Sequence, residues 1–552
     1  MDQMRLLLAL VLSFLVFMLW NVFFGQESKQ KPIPQLQQEA VKEETKAPAA
    51  AATPSPDLKP AAPSLAPAVK PDRPARQITV ETPLYKAVIS EKGAGITSFV
   101  LKKFRATANN DSPFMNLFPE NGSINGLLLG LASKGNSTLE NVLFQANLDS
   151  DQLVLTDGSR EVVFSFIADN GLQAEKVYRF SANSYVMDLE VRLTNGSGQP
   201  LKEGLFVALR NEFHGKQSQY GHQGPTVLID RSLENVLIDE IAKKNSLAGN
   251  IKWMALENRY FMTSVIPVKE QAAAVRLSVF PGNGVEAQYV LPEQTIDPGS
   301  GWKFEFLLFF GPKSMDALRT AGHDLERIID FGFFDILAKP CLWLMNYLYS
   351  IIPNYGVAII ILTILSKILL WPLGTKSYKS MSQMKKLQPL IQEIRDKYKN
   401  DRKKMNEEVM RLHRTYSINP LGGCLPMLVQ IPVFFALYRM LDQAIELRHA
   451  PFIGWINDLS APDRLGSFNF AIPFMDAPYG IPVLTLIMGA TMLWQQKLTP
   501  ATGDATQAKM MMLMPVVFTF IFINFSSGLV LYWLVNNVLS IGQQYYTQKK
   551  FG

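Results

Sequence analysis

Apolar residues form long runs near the start and in the last third of the chain, with short alternating runs between them. Leu6–Phe24 is a run of membrane-spanning length that only Ser13 and Asn21 interrupt. No small-residue cleavage site follows it directly, which argues against the alternative of a removable signal peptide. We therefore predict that residues 1–25 are a transmembrane signal anchor with the N-terminus in the cytoplasm.

The next two segments differ sharply in composition. Residues 26–75 are rich in proline and alanine, cannot bury a core, and indicate an extended linker. In residues 76–329, short alternating runs such as Ile78–Val80 and Val162–Ile167 are separated by turn signals such as Asn195-Gly196. Many short strands without helical periodicity favour an all-β sandwich, which the anchor would place outside the cytoplasm.

Two histidines of this β domain invite a catalytic interpretation. His214 and His222 stand near Gly215 and Gly221, and Glu212 is close in sequence. A sugar-converting site would use such side chains, but one carboxylate and two loop histidines are more typical of a structural role. A tethered carbohydrate-binding or carbohydrate-modifying protein therefore stays an alternative for this chain.

The last third of the chain is predicted to be a membrane core. Residues 330–353 are mostly apolar with few charges, which fits an amphipathic helix on the outer membrane surface; an N-terminal extension of the next span is the alternative. Within residues 354–548, hydropathy predicts five transmembrane spans. They lie at about 355–373, 420–441, 481–496, 510–525 and 528–546.

Loop charges predict the direction of these spans. Residues 442–480 carry two basic and five acidic side chains, whereas residues 374–419 carry twelve basic and five acidic ones. Because basic loops stay in the cytoplasm, the anchor and the five spans place both termini there. The predicted fold is thus a polytopic α-helical membrane protein with a large extracytoplasmic β domain.

The basic segment 376–417 is itself patterned. Apolar residues recur at steps of three and four before and after a turn signal at Lys399–Asp401, which predicts a hairpin of two amphipathic helices. A solvated basic loop is the alternative. Its basic faces could meet anionic lipid or ribosomal RNA. The candidate recruitment residues are Lys385, Lys386, Arg395, Arg402, Lys403 and Lys404.

Lys367 lies inside the apolar run of the first core span. A charge facing hydrocarbon there would cost several kcal/mol, so this lysine either snorkels to the nearby cytoplasmic surface or has a function. Thr363 shares its helix face, Gln430 is embedded in the next span, and Tyr532 and Asn536 begin a polar stripe on the last one. Together these residues predict a hydrophilic concavity within the membrane.

Composition excludes several other kinds of site. The chain has two cysteines and five scattered histidines, so we expect no disulfide framework and no metal centre. The net charge of +6 is concentrated in residues 374–419 and does not argue for recognition of a specific nucleic acid sequence. No phosphate-binding G-x-x-x-x-G-K-[ST] motif occurs, and no cofactor is expected.

Four sequence motifs carry a family resemblance. They are Asn419–Pro426, Gln430–Tyr438, Glu446–Phe452 and Ser527–Trp533. With the order of anchor, linker, β domain, interfacial helix and core, they resemble the YidC/Oxa/Alb family of membrane protein insertases, in its Gram-negative form. The resemblance implies a β-supersandwich similar to galactose mutarotases, and a core groove open to cytoplasm and lipid but closed to the outside.

The resemblance also implies roles for single residues. The groove of the family holds a positive charge, usually arginine, and the matching position here is Lys367, which keeps the charge without the bidentate fork. Ile431, Phe434 and Tyr532 match substrate-contacting positions, and Trp533 stands where tyrosine is common. Thr363 matches a groove-lining threonine.

The implied function is insertion and chaperoning of inner membrane proteins, alone or with the Sec translocon, by a protein that is not an enzyme. Implied partners are nascent membrane proteins, the Sec translocon, the ribosome or signal recognition particle pathway, and membrane lipids. The expected location is the bacterial inner membrane with the β domain in the periplasm. A solute channel or transporter is the alternative, although no inverted repeat is visible.

Overall fold

The computed structural model describes residues 73–109, 111–118, 125–131, 137–168, 171–213, 221–416, 425–498 and 505–551. The predicted signal anchor, nearly all of the predicted linker and His214 lie outside these residues. The strands are β1 Gln77–Glu81, β2 Tyr85–Ser90, β3 Gly95–Arg105, β4 Phe114–Asn116, β5 Leu127–Leu131, β6 Ser137–Thr138, β7 Gln145–Ala146, β8 Gln152–Val154, β9 Ser159–Ile167, β10 Leu172–Ser181, β11 Val186–Asn195, β12 Leu201–Glu203, β13 Leu205–Glu212, β14 Gly224–Ile229, β15 Ser232–Asn235, β16 Ser246–Glu257, β17 Phe261–Pro267, β18 Ala272–Phe280, β19 Gly284–Val290, β20 Gln294–Ile296, β21 Gly301–Pro312, β22 Leu465–Phe468 and β23 Tyr479–Ile481.

The β domain consists of two sheets joined by one long strand. The first runs in the order β8-β1-β2-β3-β5-β13-β19-β18-β16. The second runs in the order β7-β9-β10-β11-β21-β17-β16-β14-β15. Strand β16 pairs with β18 through its first residues and with β14 and β17 through its last ones, so it passes from one sheet to the other.

Aromatic side chains fill the space between the sheets. Phe99 on β3 meets Phe310 on β21 edge to face at 5.4 Å, and Tyr289 on β19 meets Phe306 on β21 at 5.9 Å. Strands near the middle, such as Gly284–Val290, are buried at every position, whereas β11 alternates between buried and more accessible residues. The packing is that of a sandwich, as the alternating runs predicted.

The helices follow the β domain. They are α1 Met315–Ala321, α2 Asp335–Ile351, α3 Tyr355–Lys397, α4 Arg402–Thr415, α5 Leu425–Gln443, α6 Val483–Leu498, α7 Ala505–Phe522 and α8 Ser527–Phe551. Side-chain caps mark several helix starts: the Asn354 carboxamide oxygen accepts from Val357 N at 3.1 Å, and the Asp401 carboxylate accepts from Lys404 N at 3.1 Å. The turn signal at Lys399–Asp401 therefore separates α3 from α4.

Helix α3 is longer than the predicted span. The span at 355–373 and the first helix of the hairpin 376–417 are one continuous helix of 43 residues, with Pro372 and Pro389 inside it. Hydropathy marks where a chain leaves the hydrocarbon, but it does not mark where a helix ends, and this helix continues through Pro372 and Gly374 to Lys397. The hairpin is therefore formed by the second half of α3 and by α4.

Among the described residues, one helix is long and apolar enough to cross a membrane by length and composition, and it is α3. Met511–Phe522 within α7 is a shorter apolar stretch. Helices α5, α6, α7 and α8 lie at the positions of the other four predicted core spans, and the number of crossings stays a prediction. Helix α2 occupies most of the predicted interfacial segment and buries Ala338, Leu342 and Met345 along one face.

The β domain contacts the loop between α5 and α6. The Arg259 side chain after β16 donates to the Asp442 carboxylate at 2.8 Å and to the Asp442 carbonyl at 2.7 Å. From the loop, the Arg448 guanidinium lies 5.2 Å from the Phe261 ring centre and donates to the Ala106 carbonyl at 3.0 Å. Charge-assisted and cation–π contacts of this kind hold the outer end of α5 against the sandwich.

One lysine is enclosed in the sandwich. Lys176 on β10 is buried, donates through Nζ to the Gly93 carbonyl at 2.6 Å, and lies 5.0 Å from the Phe144 ring centre. Burial lowers the pKa of Lys176 from its usual 10.5 to about 7. The neutral amine can still donate to Gly93, whereas the charged form lacks a counter-ion among the described ion pairs.

We predict that the β domain becomes more stable as pH rises from about 7 to about 10 because of Lys176. In that window the unfolded lysine binds a proton that the folded one has released, so the free energy of unfolding increases with pH. Thermal unfolding of the purified chain in detergent should show this slope in wild type and lose it in Lys176→Met. The exposed Lys86→Met is the control; an equal slope in Lys176→Met would contradict the prediction.

Candidate functional site: a polar concavity between three core helices

Packing of α3 against α8 positions Lys367. The ammonium Nζ donates to the Ser540 hydroxyl at 2.6 Å, and Ser540 donates in turn to the Asn536 carbonyl at 2.7 Å. In the described part of the chain, no carboxylate lies within ion-pair distance of Lys367, so a hydroxyl is its protein partner.

The Lys367 side chain borders a small concavity. Its walls come from α3, α5 and α8 and contain Thr363, Ser366, Lys367, Leu370, Gln430, Val433, Tyr532 and Asn536. Tyr532 is buried and faces Gln430 across the space between α8 and α5. The hydroxyls of Thr363 and Ser366 donate to carbonyls one turn earlier, at 2.6 and 2.9 Å, and so remain available as acceptors.

An aromatic cluster lies beside the concavity. Phe434 on α5 meets Trp533 on α8 edge to face at 4.6 Å and stacks against Tyr532 at 6.4 Å. Trp533 also contacts Phe522 of α7 at 5.0 Å. The Trp533 indole N–H is buried without a partner among the described residues. The cluster offers an apolar wall next to the polar one.

Closer to the cytoplasmic end of α3, Gln543 of α8 forms the hydrogen bonds that link the two helices. The Gln543 carboxamide donates to the Trp371 carbonyl at 2.8 Å and to the Thr375 hydroxyl at 3.3 Å. A Cβ added at Gly374 would lie 2.7 Å from the Gln543 nitrogen. Glycine at this position therefore allows α3 and α8 to approach closely beneath the concavity.

The predicted site residues separate into three groups. Thr363, Lys367, Gln430, Tyr532 and Asn536 line the same concavity. Phe434 and Trp533 join it through ring contacts, whereas Ile431 on α5 is half-buried and is absent from the walls.

Sequence reasoning missed Ser366, Leu370 and Val433. Leu370 and Val433 are apolar residues in apolar helices, which carry no signal, and Ser366 could have been found only by its position next to Lys367.

The second half of α3 packs against α4. Met384 and Leu387 are buried against Leu390, Ile391 and Leu412. The candidate recruitment residues lie on the same hairpin. Four of them are exposed: Lys385, Lys386, Lys403 and Lys404. Arg395 is half-buried and interacts with another group of the protein. The side chain of Arg402 is not among the parts of the chain that the structure describes.

Of the two histidines singled out in the β domain, the structure describes His222. Its neighbours do not form a catalytic site. His222 Nε2 lies 3.0 Å from the Pro225 carbonyl, and burial lowers its pKa. The carboxylate whose charge acts on His222 is Glu257, which is itself engaged by Lys313 and Thr226. Within the described residues, no group of three or more His, Cys, Asp or Glu side chains is arranged to hold a metal ion.

Comparison with known proteins decides the family. Residues 77–344 match the model described as YidC periplasmic domain, and residues 347–552 match that of the 60Kd inner membrane protein. The chain is 40% identical over 565 residues to the membrane protein insertase YidC of Syntrophus aciditrophicus, covering all of both chains. The chain belongs to the YidC family of membrane protein insertases. The YidC of Syntrophobacter fumaroxidans is also 40% identical, over 99% of this chain and all of the relative.

A crystal structure titled as an active YidC insertase with the first transmembrane domain resolved is similar at 19% identity and a TM-score of 0.37, covering 86% of this chain and 93% of that one. Membership of the YidC family confirms the sequence-based expectations of an inner membrane insertase with a periplasmic domain, and of a protein that is not an enzyme. The contacts of Arg259 and Arg448 then place the loop between α5 and α6 on the periplasmic side.

We predict that Ser540 positions the Lys367 ammonium. Ser540→Ala removes the acceptor 2.6 Å from Nζ and should reduce insertion of substrates with acidic tails by several-fold, since a charge-assisted hydrogen bond contributes about 1.5–3 kcal/mol. Ser540→Thr keeps the hydroxyl and should restore insertion in reconstituted vesicles. Equal defects in both variants would show that the position matters for packing alone.

Proposed function

We propose that the concavity is the route by which this insertase passes the extracytoplasmic tail of a substrate, with Lys367 as the attracting charge. The observation that carries the proposal is the Lys367 ammonium in the membrane core, held by the Ser540 hydroxyl with no carboxylate at ion-pair distance in the described residues. A carboxylate partner within the protein would neutralise the charge. A hydroxyl holds the side chain in place and leaves its charge for an incoming group.

The strength of this attraction suits transient binding. Two unit charges 4 Å apart attract by about 1 kcal/mol in water and about 4 kcal/mol at an effective dielectric constant near 20. Partition of a transmembrane segment yields about 0.8 kcal/mol for each buried CH₂, so a whole span outweighs the ion pair. Lys367 therefore draws an acidic tail inward, and hydrophobic partition of the following segment releases it.

The surface next to the concavity supports lateral release. Ile368 and Leu369, directly after Lys367 on α3, are exposed apolar residues, as are several on α7. The aromatic wall of Phe434 and Trp533 adjoins the concavity through Tyr532 and contacts α7 through Phe522. A substrate helix leaving the polar side thus meets rings first and lipid-facing aliphatic side chains next. Thr363, Gln430, Tyr532 and Asn536 would solvate the tail, and Ile431 would contact the segment from α5.

Recruitment is assigned to the hairpin. Its exposed lysines face the cytoplasm in the predicted topology and suit the phosphates of ribosomal RNA or anionic lipid. The ribosome or the signal recognition particle pathway would deliver nascent membrane proteins there, and the Sec translocon would share larger substrates.

We predict that Lys367→Arg retains activity and that Lys367→Glu loses it, most severely for substrates with short acidic tails. Vesicles carrying each variant would be given matched substrates with acidic, neutral or basic tails. Lys367→Gln should fall between the two because the attraction is lost without repulsion. Equal insertion of all three tails by the Glu variant would identify Lys367 as an anchor that only snorkels to the surface.

We predict that charge reversal on the hairpin weakens recruitment. Lys385, Lys386, Lys403 and Lys404 changed together to Glu should lower binding of ribosome–nascent chain complexes to vesicles and flatten its salt dependence, since each surface lysine contributes about 1 kcal/mol near an anionic surface. The control reverses Lys243 and Lys269 in the β domain. Unchanged binding by the hairpin variant would assign recruitment elsewhere.

A further inference from the structure

The periplasmic loop between α5 and α6 carries an uncharged, aromatic tip that neither the family match nor the concavity explains. Strands β22 and β23 pair Leu465 with Ile481 and Phe468 with Tyr479, and residues 468–474 form the tip of the connection between them. Residues 465–475 contain no Asp, Glu, Lys or Arg. Phe470 is 64% exposed and Phe474 is 80% exposed.

The tip continues the apolar outer face of α7. The Phe474 ring lies 6.4 Å from the ring of Phe520, near the outer end of that helix. Phe520 belongs to a face of exposed apolar residues at helical spacing. This face contains Leu513, Val516, Val517, Phe520 and Ile521. In an inner membrane protein, such a face on a core helix meets lipid, so Phe474 stands where that lipid surface ends on the periplasmic side.

A set of hydrogen bonds holds the tip in this place. The Asn524 side chain, just after α7, donates to the Phe474 carbonyl at 3.0 Å and accepts from Asp476 N at 2.9 Å. The Arg464 guanidinium donates to the Pro478 carbonyl at 2.9 Å and to the Ile523 carbonyl at 2.8 Å. Both ends of the tip are therefore tied to the turn between α7 and α8.

The backbone of Phe474 adds an independent observation. Its φ is +64°, in the left-handed region that bulky side chains rarely adopt. The Asn524 side chain bonds to the carbonyl of this strained residue, and the Phe474 side chain stays 80% exposed beside Phe520. Strain retained to expose a phenylalanine indicates that the exposed ring has a partner.

We propose that the 468–474 tip inserts its phenylalanine rings into the outer leaflet of the bilayer and anchors the periplasmic end of the core there. Continuity with the lipid-facing side of α7, the absence of charge and the aromatic composition favour lipid over a protein partner. This inference does not depend on the proposed role of Lys367, because the tip lies at the opposite end of the core from the hairpin.

Spin-label accessibility in vesicles of phosphatidylethanolamine and phosphatidylglycerol tests the proposal. In the full chain with Cys341 and Cys424 changed to Ser, single labels are placed through Phe470→Cys and Phe474→Cys. Leu513→Cys on α7 is the lipid control, and Asp149→Cys on the β domain is the aqueous control. The relaxation of each label by oxygen, which enters lipid, is compared with relaxation by a water-soluble nickel chelate.

Labels at 470 and 474 should be relaxed more by oxygen than by nickel, as at 513 but nearer the surface, and opposite to 149. The label at 470 stands apart from the strained position, so it reports even if a cysteine at 474 disturbs the loop. Stronger relaxation by nickel at 470 and 474 would overturn the proposal in favour of a solvated loop. Protection from both reagents would overturn it in favour of a protein partner. In Asn524→Ala, the oxygen advantage at 474 should fall, because the tip is released.

Discussion

The structure of the core depends on holding one ammonium group between helices without neutralising it. Lys367 bonds to Ser540, and Gln543 and Asn536 extend the same polar seam along α8. Replacing any of these groups by a carboxylate would give a stronger pair and a closed site. The Ser540 hydroxyl accepts a hydrogen bond from the ammonium without neutralising it, and the polar residues of the concavity lie around that charge.

The sequence was most informative where a single physical requirement dominates a position. Lys367 and Tyr532 could be identified because polar groups are rare in apolar helices, and the strands could be identified from alternation and turn residues. By contrast, the sequence could not show that Gln430 and Tyr532 face each other. The two residues are about a hundred positions apart, and their contact depends on how α5 crosses α8. Val433 and Leu370 share the composition of their surroundings, and only packing distinguishes them from lipid-facing neighbours.

Two larger features also escaped prediction. Strand β16 belongs to both sheets, and nothing in its local pattern distinguishes a strand that changes sheets from a long one that stays in one. The contacts of Arg259 and Arg448 with the opposite domain look like ordinary surface charges in sequence. These contacts attach the sandwich to the outer end of α5 and to the loop that follows it. The β domain is therefore held to the core by side-chain contacts as well as by the connecting chain.

The continuity of α3 has a mechanical consequence. From Lys367 to the end of the helix at Lys397 the rise is about 45 Å, so the charge and the cytoplasmic hairpin are two points on one lever. A proline inside a helix removes a backbone hydrogen bond and concentrates bending at that turn. Pro372 lies five residues beyond Lys367, between the charge and the hairpin. Gln543 of α8 bonds to α3 on both sides of Pro372, at Trp371 and at Thr375, so the seam between α3 and α8 braces the helix at the turn where it would bend most easily.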